Sequence, residues 1–70
     1  MRAFYCTQKG MRFFVFGTPE GWHVLSQNVQ TGQWTPPNGR VHDTLKDAKA
    51  AAEEKATAIF GKKPLPMKWH

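Results

Sequence analysis

Residues 43–60, DTLKDAKAAAEEKATAIF, have the periodicity of an amphipathic helix, and the rest of the chain must fold to receive it. At about 100° per residue, the larger apolar side chains and three alanines fall in one band. The band comprises Leu45, Ala48, Ala52, Ala56, Ile59 and Phe60. Asp43 or Thr44 can cap the first turn, and Gly61 can end the helix in the left-handed conformation. We therefore predict a helix of about 16 residues.

Because three residues of this band are alanine, the surface that packs against the helix must come close and supply the bulk. Bulky residues occur only upstream, where residues 2–8, 11–16 and 22–27 have the composition of strands. Lys9 and Gly10 suit a two-residue hairpin turn. Residues 11–16, MRFFVF, are apolar on both faces, which predicts the central strand of an antiparallel sheet.

The segment between the third strand and the helix has a weaker pattern. Val29 and Trp34 flank a turn at Thr31 and Gly32, which indicates either another short hairpin or an extension of the third strand. Residues 35–39, TPPNG, are predicted to be a loop, because prolines cannot donate ladder hydrogen bonds.

The predicted fold class is α+β, with a three-stranded antiparallel sheet packed on one C-terminal helix in the order β-β-β-α. We assign residues 1–61 to this single domain. Residues 62–70, KKPLPMKWH, are predicted to be an extended, basic, proline-rich tail that is either docked on the domain or frayed.

One helix covers only one face of a sheet, so the other face must expose apolar side chains. Alternation along the strands gives two sets of apolar residues, one for each face, and the sequence does not decide which set is exposed. The first set is Tyr5, Phe14, Phe16 and Leu25, and the second is Phe4, Phe13, Val15 and Trp22. A large exposed apolar patch is typical of a binding surface or an oligomer interface.

The net charge of +5 is unevenly distributed along the chain. Residues 1–42 carry +3, residues 43–60 carry −1 and residues 61–70 carry +3. The predicted helix therefore contributes none of the excess positive charge. If the partner is acidic, we expect the sheet and the tail to bind it.

Enzymatic function is not indicated. Cys6, His23, His42 and His70 are too scattered for a metal site, and the glycines do not form a phosphate-binding loop. We therefore predict no catalytic residues, no metal and no cofactor. A lone cysteine and the lack of a long apolar run favour a cytoplasmic protein without membrane contact.

In its order of elements, the segment 2–60 resembles two kinds of small DNA-binding module, the amino-terminal domains of phage integrases and the domains of AP2-type transcription factors. These modules lay a three-stranded sheet in the major groove and brace it with one helix. The resemblance implies DNA binding through a sheet face, at the level of fold analogy.

The leading hypothesis is a small non-enzymatic nucleic-acid-binding protein with a basic, aromatic sheet face, and DNA is favoured over RNA as its ligand. Lysine and arginine neutralise phosphates, and aromatic rings stack on bases. The predicted contact residues are Lys9, Arg12, Trp22, Trp34, Arg40, Lys62 and Lys63. The alternative is a protein-interaction module, either binding an acidic protein or forming a homodimer through the uncovered aromatic face.

Overall fold

Four strands and one helix follow one another along the chain in the computed structural model, which describes residues 2–35 and 40–70. The elements are β1 (Ala3–Gln8), β2 (Met11–Thr18), β3 (Gly21–Asn28), β4 (Trp34–Thr35) and α1 (Leu45–Phe60). The strands form one antiparallel sheet in the order β1-β2-β3-β4. The predicted α+β fold, an antiparallel sheet with one C-terminal helix, is confirmed.

The sheet has a short fourth strand beyond the three that were predicted. Trp34 and Thr35 pair with Gln27 and Ser26, so the chain forms a further hairpin and does not simply lengthen β3. Asn28 closes the turn. Its side-chain oxygen accepts hydrogen bonds from the backbone N–H groups of Gln30 and Thr31, at 3.0 and 3.1 Å. The predicted loop at 35–39 lies mostly outside the described residues, which omit 36–39.

The β1–β2 hairpin has the predicted two-residue turn. Lys9 and Gly10 both have positive φ, 48° and 78°, and the flanking residues Gln8 and Met11 are paired. Two successive positive φ values give the turn a twist that matches that of the strands.

The helix begins and ends where the sequence predicts. Of the two candidate N-caps, Asp43 and Thr44, it is Thr44 that caps the helix. Its hydroxyl accepts a hydrogen bond from the backbone N–H of Asp47 at 3.1 Å. Gly61 has a φ of 73°, and its N–H donates to the carbonyl of Thr57 at 2.9 Å. Local sequence alone therefore sets both ends of α1.

The core lies between α1 and one face of the sheet. Ala48, Ala52 and Ala56 are fully buried, and Phe13 and Val15 of β2 are 0% exposed beneath the helix. Small side chains on the helix allow the close approach that lets large sheet residues fill the space.

Ile59 was predicted to belong to the buried band, and this prediction is wrong because its side chain is 43% exposed. The buried residues follow one row at a spacing of four along the helix, and the next position in that row is Phe60. The Phe60 ring meets the edge of Phe13 at a centroid distance of 6.1 Å, so Ile59 is turned away from the sheet.

The C-terminal residues lie along the free edge of β1. Tyr5 and His70 exchange two backbone hydrogen bonds, at 3.1 and 2.9 Å, and the Gln8 side chain donates to the carbonyl of Leu65 at 2.8 Å. Trp69 packs against the core between sheet and helix. This end of the chain thus covers a sheet edge that would otherwise offer unpaired backbone groups.

Ser26 is a fully buried polar residue in the core, and its hydroxyl has no hydrogen-bond partner within the described part of the chain. An unsatisfied buried hydroxyl costs about 1–3 kcal/mol. We expect Ser26→Ala to raise the free energy of unfolding by about 1 kcal/mol, measured by urea denaturation. A loss of stability instead would show that the hydroxyl has a partner, such as a buried water.

Within residues 2–35 and 40–70, α1 included, no helix has the length and apolar character needed to span a membrane.

Candidate nucleic-acid interface

The sheet face that α1 leaves uncovered, here called the open face, is the candidate site. Phe13, Val15 and Val24 are buried on the helix side, so alternation places the neighbouring strand residues on the other side. The open face comprises Tyr5, Thr7, Arg12, Phe14, Phe16, His23, Leu25, Gln27 and Trp34. The structure thus selects the first of the two apolar sets that the sequence left open.

Aromatic rings cross the open face in a continuous line, here called the aromatic row, which consists of His70, Tyr5, Phe14 and Trp34. The successive ring centroids are 5.4, 6.4 and 5.2 Å apart. Tyr5 is 44% exposed and Trp34 is 49% exposed. The row runs from the C-terminal segment, across β1 and β2, to β4 at the other edge of the sheet.

A second aromatic pair lies beside the row. Phe16 and His23 are stacked, with their centroids 5.1 Å apart and their planes at 15°. The Thr18 hydroxyl lies 2.9 Å from His23 Nε2, which fixes the orientation of the imidazole. The open face therefore presents several flat rings that are already held in place by their neighbours.

Arg12 is the cation placed directly beside the aromatic row. Its Nε donates to the Thr7 hydroxyl at 3.2 Å, and its guanidinium carbon lies 5.8 Å from the Tyr5 ring centroid. The contact with an aromatic ring and the hydrogen bond together hold a positive charge next to an exposed apolar surface. Arg12 and Trp34 are thus the two predicted contact residues that lie on the open face.

Lys9 and Lys62 lie together at the hairpin end of the sheet. The Lys9 ammonium is 5.5 Å from the Phe60 ring centroid. The neighbouring positive charge of Lys62 is the main reason that the pKa of Lys9 lies below its ordinary value. Two like charges held close together are stabilised by an anion, so this pair is suited to a phosphate.

The structure places Trp22, Arg40 and Lys63 away from the open face. Trp22 is half-buried on the helix side, where its ring lies 6.4 Å from that of Phe4. Arg40 shares a surface concavity with several acidic side chains, and Lys63 shares another with acidic residues of α1. The acidic residues are Asp43, Asp47 and Glu54 beside Arg40, and Glu53 and Glu54 beside Lys63.

Lys68 and His70 belong to the candidate site but were not predicted as contact residues. They line a shallow concavity together with Tyr5 and Thr7. Alternation along the extended C-terminal segment could have indicated them. Lys68 and His70 flank Trp69, so they point away from the core when Trp69 points into it. Only the pairing of His70 with Tyr5 brings them beside the open face, and that pairing has no local signature.

None of the five carboxylate side chains belongs to a strand residue of the open face. Glu20 is in the turn between β2 and β3, and the other four are at positions 43, 47, 53 and 54, in α1 or just before it. The strand residues of the open face thus include the cation Arg12 and no acidic side chain, whereas α1 carries lysines and acidic residues in equal number.

Among the side chains that the structure describes, no group of three or more His, Cys, Asp or Glu residues is arranged to hold a metal ion. Comparison of the chain with protein-family models, with curated protein sequences and with solved structures finds no match.

Proposed function

We propose that this chain is a small non-enzymatic protein that binds nucleic acid on the open face. The observation that carries the proposal is the exposed aromatic row with a guanidinium held beside it and no carboxylate side chain among the strand residues of the same face. Stacking of a base on an aromatic side chain contributes about 1–3 kcal/mol, and cations supply the salt-dependent attraction to phosphates.

Each group has a distinct role in the proposed complex. Tyr5, Phe14 and Trp34 provide ring faces for bases, and Arg12 contacts a phosphate next to them. Lys9 and Lys62 extend the cationic surface around the hairpin end of the sheet. Lysines and acidic residues balance along α1, so the helix side adds no net attraction for a polyanion and the cations of the sheet are the proposed contacts.

A homodimer through the open face is the second candidate, supported by the exposure of Tyr5 and Trp34 on one face. Two-fold pairing would bring the same surface of each copy together. Arg12 would then be enclosed in an interface whose strand residues include no carboxylate side chain to neutralise it. Charge complementarity therefore favours a polyanion, and an acidic protein is the corresponding protein partner.

The proposal is tested by removing two of the proposed phosphate contacts. We expect the double variant Lys9→Ala/Arg12→Ala to bind DNA more weakly and to show a smaller dependence of affinity on salt. The slope of log affinity against log salt should fall in magnitude by about 0.7–0.9 for each phosphate contact that is lost. Titration of tryptophan fluorescence at several salt concentrations measures both quantities.

The matched control is Lys46→Ala/Lys49→Ala, which removes the same net charge from α1 on the opposite side. We expect this control to keep the wild-type slope to within about half a unit, because a long-range charge effect is screened by salt. Equal losses of DNA affinity in both double variants would show that binding depends on net charge alone. An unchanged affinity and slope in Lys9→Ala/Arg12→Ala would contradict the assigned contacts.

A further inference from the structure

The polar groups of the open face are too few to recognise the base edges of a duplex. In double-stranded DNA the base faces are covered by their neighbours, and proteins reach hydrogen-bonding groups at the edges in the grooves. On this face Arg12 Nε donates to Thr7, which leaves the terminal amino groups of the guanidinium for a phosphate, and Gln27 Nε2 donates to the carbonyl of Gly32 at 3.3 Å. The middle of the face consists of rings.

The rings, in contrast, suit bases that are unpaired. Tyr5, Phe14 and Trp34 are neighbours with centroid separations of 6.4 and 5.2 Å, and their planes are tilted by 40° and 38°. Ring surfaces of this kind accept any base whose face is free, which requires a single strand. The contacts described here are made through ring faces, and the 2′-hydroxyl of RNA adds nothing to contacts of that kind.

We infer that the open face binds single-stranded DNA, with successive unpaired bases stacked on Tyr5, Phe14 and Trp34 and with the phosphates directed toward Arg12 at the hairpin end of the sheet. This inference rests on the proposed function and specifies its ligand. Three ring positions correspond to a site of about three or four nucleotides.

The position of the cations gives the bound strand its orientation across the sheet. Arg12 pairs with Thr7, two residue pairs nearer the hairpin turn than the Tyr5–Phe14 pair. Lys9 follows in the turn, where its ammonium lies over the Phe60 ring toward the helix side with Lys62 beside it, so Arg12 is the nearer cation to the rings. The sugar-phosphate chain therefore crosses the strands on the hairpin side of the aromatic row, and the bases extend over the rings.

Trp34 provides a specific reporter for this binding mode. Trp22 and Trp69 pack against the core on the helix side, whereas Trp34 lies in the aromatic row. Stacking of a base on Trp34 should quench its fluorescence. Trp34→Phe keeps an aromatic ring and is expected to abolish most of the quenching while retaining binding, which can be followed independently with a dye-labelled oligonucleotide.

The decisive experiment compares a 12-nucleotide single-stranded DNA, its blunt duplex and the matching single-stranded RNA, titrated into the protein at one ionic strength. We expect the single-stranded DNA to bind at least about tenfold more tightly than the duplex, and no less tightly than the RNA. Phe14→Leu retains an apolar side chain but removes the ring, and it is expected to weaken single-strand binding about 5- to 150-fold. Thermal unfolding checks that this variant remains folded.

The outcomes separate the inference from the proposed function. Duplex binding as tight as single-strand binding would overturn the single-strand inference and leave nucleic-acid binding in place. RNA binding tenfold tighter than DNA binding would overturn the choice of DNA. Phe14→Leu with unchanged single-strand affinity would overturn the stacking mode. No binding of any of the three ligands would overturn the proposed function itself.

Discussion

Phe13→Ala is expected to remove a large part of the stability of this domain, up to all of it. Phe13 is fully buried beneath α1, and its ring meets that of Phe60 edge-on at 6.1 Å. Truncating a buried phenylalanine to alanine typically costs about 3–5 kcal/mol. A domain of 70 residues has about 4–10 kcal/mol in total. Urea denaturation followed by circular dichroism should therefore show a destabilised or largely unfolded variant.

Phe14→Ala is the matched control, because Phe14 is the next residue of β2 and has the same side chain on the open face. Its ring is only half-buried, against Tyr5 and Trp34. We expect Phe14→Ala to lower the free energy of unfolding by less than half as much as Phe13→Ala does, because fewer contacts are lost and no enclosed cavity remains. Equal costs for the two variants would contradict the placement of α1 on the Phe13 side.

Gly21→Ala is expected to have the second largest effect on stability. Gly21 has a φ of 139°, and an added Cβ would lie 2.6 Å from Val41 Cγ1 and 2.8 Å from the carbonyl oxygen of His42. His42 is held there by two backbone hydrogen bonds with Trp22, each 2.8 Å long. The unfavourable backbone conformation alone costs about 1–3 kcal/mol, and the contact with the His42 backbone adds to that cost.

Gly32→Ala is the comparison variant, because it adds a Cβ at a positive φ without a close contact. Gly32 also has a positive φ, 76°, but an added Cβ would meet no atom within 4 Å. We expect Gly32→Ala to cost about 1 kcal/mol, the amount due to the backbone conformation alone. Equal losses in thermal unfolding for the two variants would show that the approach of His42 to Gly21 is not a constraint on the fold.

The parts of the fold that depend on local signals could be predicted from the sequence. Helix periodicity, the Thr44 cap and the C-terminal Gly61 define α1 within the chain itself. The two-residue turn at Lys9 and Gly10 likewise depends on neighbouring residues. The two-residue strand at Trp34 was only one of two alternatives, because so short a pairing has almost no periodicity to detect.

The choice of the open face could not be predicted, because β2 is apolar on both sides. Phe13 and Val15 face the helix, whereas Phe14 and Phe16 face away from it. Alternation shows which residues share a face but not which face the helix covers. The same limit applies to Trp22 and Trp34. Both were predicted as contact residues for nucleic acid, and the structure places them on opposite sides of the sheet.

The candidate site also depends on contacts between distant parts of the chain. His70 lies beside Tyr5 only because the two residues exchange backbone hydrogen bonds. Lys62 lies beside Lys9 only because α1 ends above the β1–β2 hairpin. Positive charge in both terminal segments of the sequence indicated an acidic partner, but only the folded structure shows which of these charges lie near the open face.

Nuclear magnetic resonance mapping on the isotope-labelled protein, titrated with a short single-stranded DNA, tests the central proposal most directly. We expect the largest shift changes at the Trp34 indole, the rings of Tyr5 and Phe14, and the Arg12 side chain. The Trp22 indole, packed on the helix side, should change little. Shift changes confined to α1, or none at low salt, would contradict the assignment of the open face as a nucleic-acid-binding surface.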